Sequence, residues 1–430
     1  MLKNPLSRRS DAHALYSRTI LDNGIRVVSE RVSSVRSVSL GLWADVGSRD
    51  ESSATNGITH FLEHMVFKGT RNRSVADIAR SLERLGGYLN AFTAKEHTCF
   101  HARVLDVHLP AALDVVSDLV LHATFSPQEM EKEKLVVIEE LRSAEDNPED
   151  IIHDYFEKAL FPRHSLWYPI IGTEENLRRF SREDLRSHVR SHYLSGRLVV
   201  AAAGNVEHGD LVRHVRRFFS GRRVRAQERC RGPLPARIPD RGRCEYDRPI
   251  QQAHVCIGTR AYGMRHRERY PLLVLNALLG EGMSSRLYQS VREKHGLAYA
   301  IYSYVNMLSD TGVFGVYAGT EGKNTERTIE LIRRELDRVR NHAVPRAELQ
   351  RTKAQIRGTM LLSLENMTSR MMRLGVSELY LGRVSPLEAI LRGMGEVTPE
   401  RVQAVAQDLF RDERLSAVII RPGKGASAPC

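Results

Sequence analysis

A chain of 430 residues, 42% hydrophobic and 27% charged, carries enough apolar surface to fill real cores, and its length sets an expectation of two domains. That composition excludes disordered, collagenous and coiled-coil architectures, and the longest apolar stretch, Leu198 to Ala203, falls far short of the roughly 20 residues that cross a bilayer. The net charge of +12 invites a nucleic-acid reading, but aromatic residues make up only 7% and the Arg-rich segment near the middle resembles a linker, so no nucleic-acid partner is expected.

The first fifteen residues include Lys3, Arg8 and Arg9 without the apolar run of a secretory signal. They suit a bacterial cytoplasmic chain, with the mitochondrial matrix as the alternative. Five cysteines (Cys99, Cys230, Cys244, Cys256, Cys430), an odd number with no CxxC spacing, indicate neither a disulfide framework nor a thiolate zinc site.

Asp22-Asn23-Gly24 between Ile20-Leu21 and Ile25 to Val28 predicts a hairpin, and the alternation from Val38 to Ala44 predicts a strand with one buried face. A helical stretch follows at Ile58 to Phe67, then a helix from Val75 to Leu85 and strand-like sequence from Tyr88 to Leu105. Helices are expected near 107–123, 127–146, 150–160, 182–191 and 208–220, with a strand from Leu198 to Ala203. The second half repeats the plan: strands at His254 to Thr259, Ala298 to Val305 and Gly312 to Ala318. Its helices are expected at Tyr270 to Leu279, Arg286 to Lys294, 324–341 and 346–365. Setting Gly86-Gly87-Tyr88 to Thr93 over Gly296-Leu297-Ala298 to Ser303 suggests a duplicated unit, convergent patterning being the alternative. Strands joined to runs of helices imply an α+β fold. Three segments result: a first domain at 16–222, an Arg/Pro-rich linker at 223–247 that reads as a solvated connection, and a related domain at 248–424.

His60-Phe61-Leu62-Glu63-His64 carries the sharpest chemical signal. On a helix, residues at i and i+4 share a side, so two imidazoles can grip one cation while Glu63 faces the same space as a base. Imidazole suits zinc, and a catalytic zinc takes three protein ligands, so a third is required. Glu131 to Arg142 reads as a helix on which Glu133 and Glu140, seven apart, share a stripe. One acid there could complete the shell and another could orient an imidazole. Spacing alone does not rank Glu139 against Glu140.

The string His60 to His64, followed by Met65-Val66-Phe67-Lys68-Gly69-Thr70, resembles the inverted-motif zinc endopeptidases of the pitrilysin and mitochondrial processing peptidase family. The resemblance implies two related domains, each a largely antiparallel sheet packed against several helices. It makes His60, His64 and Glu140 the zinc ligands, Glu63 the general base and Glu133 a residue that orients a ligand. Gly86 to Thr93 resembles the family's edge strand, on which Asn90, Ala91 and Phe92 would meet an extended peptide. Arg292 and Tyr299 resemble the family's arginine–tyrosine pair that reaches the substrate from the second domain. No HxxEH recurs in the second half, which would be a domain without its own metal.

The implied activity is zinc-dependent hydrolysis of unfolded or targeting-type peptides. A homodimer, or a heterodimer with a related subunit, is implied because relatives enclose a chamber between two such chains. Some relatives are catalytically silent partner subunits, which is the alternative reading, but those lack part of a motif that is whole here.

Overall fold

The computed structural model describes residues 16–193, 197–220, 231–232, 234 and 242–423. The N-terminal segment, most of the Arg/Pro-rich stretch, Cys230 and Cys430 lie outside the described residues.

The first half builds a six-stranded sheet from β1 (Tyr16–Ile20), β2 (Arg26–Arg31), β3 (Ser37–Ala44), β4 (Tyr88–Thr93), β5 (Thr98–Leu105) and β6 (Val199–Gly204). Its helices are α1 (Ile58–Val66), α2 (Val75–Glu83), α3 (Leu109–His122), α4 (Pro127–Asp146), α5 (Pro148–Leu160), α6 (Glu174–Arg179), α7 (Arg182–His188) and α8 (His208–Phe218). The second half builds a five-stranded sheet from β7 (Arg243–Arg248), β8 (Gln252–Ala261), β9 (Ala298–Met307), β10 (Gly312–Glu321) and β11 (Ser416–Pro422). With it go α9 (Arg269–Gly280), α10 (Thr325–Asn341), α11 (Arg346–Ser363), α12 (Met367–Leu381), α13 (Leu387–Gly395) and α14 (Pro399–Leu409). Because β7 occupies Arg243–Arg248, the last residues of the segment read as a linker are strand.

The expected hairpin forms, with Gly24 at φ 83° and its N–H on the Leu21 carbonyl at 2.8 Å. The sheets share one plan. Strand order β2-β6-β3-β5-β4 in the first matches β7-β11-β8-β10-β9 in the second, with β1 added at the edge of the first. In each sheet one pair is parallel, β2 with β6 and β7 with β11, and the other pairs are antiparallel. Strands β4 and β9, the two segments aligned in the sequence, occupy equivalent edge positions.

Each sheet is apolar on both faces, so each must be covered twice. Residues 199–203 of β6 are buried without alternation for this reason. One face of the first sheet packs on α1, α3 and α8, through residues such as Leu40, Phe61, Leu113 and Leu211. Its other face, with Trp43, Cys99 and Ala201, is covered by Met371 and Leu374 of α12, a helix from the second half. The reciprocal holds for the second sheet, where Cys256, Val418 and Ile420 pack on Ile152, Phe156 and Leu160 of α5 from the first half. Gly375 lets α12 come this close, since a Cβ there would stand 2.2 Å from the Trp43 indole.

The halves also meet through buried charge. Asp310, in the β9–β10 turn, takes both terminal nitrogens of Arg49 at 2.5 and 2.8 Å. Glu96, in the equivalent β4–β5 turn, accepts from Arg49 at 2.7 Å, from the Ser309 amide and hydroxyl at 2.8 Å each, and from Arg231. Arg49 and Glu96 side chains are fully buried, so each charge is compensated by the other and by these bonds rather than by water.

Candidate metal centre

Ile58, Phe61, Leu62 and Met65 of α1 point into the first core, which leaves His60, Glu63 and His64 on the opposite stripe. The helix start is fixed by Glu51, a buried carboxyl that accepts from the amides of Gly57 and Thr59 at 2.8 and 2.9 Å and from Asn56 Nδ2 at 3.0 Å. These are amide hydrogens that a helix cannot satisfy itself. Burial nevertheless pushes the Glu51 carboxyl up to about 7, against those bonds. Gly57 enters the helix at φ 96°, with its Cα packed against Gly172, a contact that leaves no room for a side chain.

Helix α4 lies across α1 and brings two of its acids to the histidines. Glu140 Oε1 lies 3.7 Å from His60 Nε2, and Glu140 Oε2 lies 3.4 Å from His64 Nε2. One ligating atom from each of His60, His64 and Glu140 lies within 4.8 Å of the others. Glu139 points away, 70% exposed and bound to Arg142 at 2.7 Å, so of the two acids that spacing left open it is Glu140 that faces the histidines. Two turns earlier on α4, the buried Glu133 accepts from His64 Nδ1 at 2.9 Å, and its second oxygen is 2.6 Å from Lys68 Nζ.

This donor set fits a divalent cation. With its Nδ1 engaged by Glu133, His64 has only Nε2 to offer, and that atom faces Glu140. Two imidazoles and a carboxylate are the hard and borderline donors that zinc accepts. His60 Nδ1 is buried with no hydrogen-bond partner among the described residues, and its Nε2 faces Glu140.

The electrostatics separate the two rings. Burial, aided by His64, holds His60 down at about 4. For His64 the burial penalty is outweighed by the bonds to Glu133 and Glu140, which raise it to about 9. Glu133 is held low by His64 and Lys68 despite its burial, and Glu140 is held low chiefly by His64. Glu63 behaves oppositely. Burial raises its carboxyl, against a 2.6 Å hydrogen bond donated by Thr93 Oγ1 to Glu63 Oε2.

The edge-strand residues divide between two faces. Leu89, Ala91 and Thr93 of β4 face α1, whereas Tyr88, Asn90 and Phe92 point to the α12 side. Asn90 donates to the Tyr88 hydroxyl at 2.6 Å and accepts from the Ala91 amide. In the second half, the Arg292 guanidinium sits over the rings of Tyr288 and Tyr299, at 4.8 and 5.1 Å, and Tyr299 is 79% exposed. The structure brings this pair together with each other rather than with the α1–α4 cluster. Helix α9 stands where α1 stands in the first half, and its sequence RYPLLVLNALLG is almost wholly buried and apolar.

Two contacts lay outside the sequence reading although both residues fall within the strings it used. Thr93 was legible in principle from strand alternation, being two residues beyond Ala91 and on the same face. Lys68 follows His64 by four residues and lies in the turn just past the end of α1.

Comparison with known proteins matches the chain to two family models. The one described as "Insulinase (Peptidase family M16)" matches residues 26–174, and the one described as "Peptidase M16 inactive domain" matches residues 179–356. The uncharacterized zinc protease YmxG of Bacillus subtilis is 40% identical over 95% of this chain and 99% of its own length. An uncharacterized zinc protease of Streptomyces coelicolor is 42% identical over 96% of this chain and 90% of its own. The fold is shared with a protease from Helicobacter pylori, at a TM-score of 0.86 and 21% identity over 95% of this chain and 99% of that one.

Proposed function

The chain belongs to peptidase family M16, and on that footing we propose that it is a zinc endopeptidase acting on extended, unfolded peptides. The observation that carries this reading is the meeting of His60, His64 and Glu140 around one point, with Glu63 on the same stripe of α1. The relatives it matches over nearly their whole length are named zinc proteases, which supports our assigning zinc to those three residues.

Zinc supplies Lewis acidity, which makes a water easier to deprotonate and a carbonyl easier to attack. The chain supplies the rest. Glu133 holds the His64 ring in the orientation that presents Nε2, and Lys68 keeps Glu133 charged. The Glu63 carboxylate accepts a proton from the attacking water and returns it to the leaving amine. Strand β4 is a sheet edge, and its main chain at Asn90, Ala91 and Phe92 offers hydrogen bonds to a peptide strand regardless of side chain. Arg292 and Tyr299 are assigned to the peptide carbonyls from the second half of a neighbouring chain or of this one. A second copy or a related subunit closes the chamber. Among the described residues, no helix is long and apolar enough to cross a membrane, and a cytoplasmic site of action is the compartment we assign.

Elemental analysis of the purified chain, paired with cleavage of an unstructured quenched-fluorescence peptide, tests the reading. We expect about one zinc per chain, turnover in the wild type, and zinc without turnover in Glu63→Gln. A fully loaded wild type that leaves such peptides intact, or a Glu63→Gln variant as fast as the parent, would overturn it.

A further inference from the structure

We infer that Thr93 is a positioning residue for the general base: its hydroxyl occupies Glu63 Oε2 and so leaves Oε1 as the oxygen that takes the proton. The inference rests on the reading of Glu63 given above and assigns a role to a residue outside the zinc and peptide sets.

The 2.6 Å contact lies within the range of a hydroxyl donating to a carboxylate, the strong, charge-assisted kind of hydrogen bond. A threonine hydroxyl has one hydrogen, and donating it to Oε2 spends that oxygen's best-placed lone pair. Protonation of Glu63 is then directed to Oε1, while Thr93 continues to donate to Oε2 when the carboxylate becomes a carboxylic acid. No bond to Thr93 forms or breaks. A free glutamate on a helix has several rotamers, and a bond at one oxygen selects among them.

Thr93 is well suited to this because its own position is over-determined. It is the last residue of β4, paired with Thr98 of β5, and Ala94 closes the turn behind it through a 2.8 Å bond to His97. The turn is clamped in place by Lys95 on the Tyr168 carbonyl at 2.7 Å and by the Glu96–Arg49 pair. The strand that would carry a peptide and the group that would deprotonate water are thereby joined by one hydrogen bond. A peptide paired to β4 and the base share a common reference, the kind of alignment on which proximity effects depend.

Thr93→Val replaces the hydroxyl by a methyl of similar shape, and Thr93→Ser keeps the hydroxyl. With zinc-loaded proteins and the unstructured peptide, we expect Thr93→Val to lower kcat about 10- to 100-fold while KM, zinc content and melting temperature stay at wild-type values. Thr93→Ser should recover to within about threefold of wild type. An unchanged kcat in Thr93→Val, or Thr93→Ser as slow as Thr93→Val, would overturn the inference. Crystal structures of the two variants give a readout independent of turnover. Glu63 should leave its wild-type rotamer in Thr93→Val and keep it in Thr93→Ser, and a Glu63 that stays in place in Thr93→Val also overturns it. If the wild type itself proves inactive, the proposed function falls, while the Glu63 rotamers still decide whether Thr93 positions that side chain.

Discussion

His64 and Glu133 are joined by a 2.9 Å hydrogen bond through the imidazole Nδ1, and the far oxygen of that carboxylate carries Lys68. The bond fixes which nitrogen of His64 is free. Glu133→Gln keeps an acceptor but loses the charge, and partners of this kind are worth about 10- to 100-fold in metal affinity. A competition titration against a chelator should show zinc bound that much more weakly in Glu133→Gln; equal affinity would contradict the role.

The α4 register makes a sharp discrimination between neighbours. His60→Ala, His64→Ala and Glu140→Ala should each lose zinc on dialysis, while Glu139→Ala, whose side chain pairs with Arg142 at the surface, should retain about one equivalent. Elemental analysis of the four variants checks this, and a zinc-free Glu139→Ala would shift the ligand assignment by one residue.

Removing Glu96 should weaken the contact between the halves. Its carboxylate compensates the fully buried Arg49 and also holds the Ser309 turn. Glu96→Ala leaves Arg49 with Asp310 as its remaining carboxylate and takes the acceptor from the Ser309 turn, a loss on the order of 1–3 kcal/mol. Urea unfolding followed by intrinsic fluorescence should move to a clearly lower midpoint, and a change too small to resolve would show that water replaces the carboxylate.

Asp154 on α5 gives stability a pH dependence of definite sign. Burial pushes its carboxyl up from 3.8 to about 6, against the attraction of Lys95. Through that window the folded chain keeps a proton that the unfolded chain has lost, so stability falls as the pH rises. The full penalty, at most about 3 kcal/mol, is present above pH 6. Asp154→Asn should therefore melt higher than wild type at about pH 7.5 and no higher at about pH 4. Melts at the two values check it, and an equal gain at both would trace the effect to packing.

Much of the fold could be read from periodicity because its elements obey simple patterns. The 127–146 helix has the observed bounds of α4, and the Asp22-Asn23-Gly24 turn needs only a residue that tolerates positive φ. The candidate metal ligands on α1 were visible because a helix converts spacing into a shared face. Helix α12 was not assigned, and its sequence explains why: its buried residues include Gly375, Ser377 and Glu378 beside Met371 and Leu374, so no apolar stripe announces it. Glu378 is buried because Arg18 of β1 grips both its oxygens at 2.9 Å, a partner some 360 residues away that no local pattern can supply. The choice of Glu140 over Glu139 likewise depends on how α4 crosses α1, which is a tertiary fact.

The exchange of α5 and α12 between the sheets has a consequence for how the chain comes off the ribosome. When the first 220 residues have emerged, both histidines and Glu140 exist, yet the floor beneath β3 is bare, because the helix that seals Trp43 has not been synthesised. Covering of that face must wait for translation to run past Leu381, and a nascent product truncated before then would expose a broad greasy surface to every chaperone and proteolytic quality-control system it met.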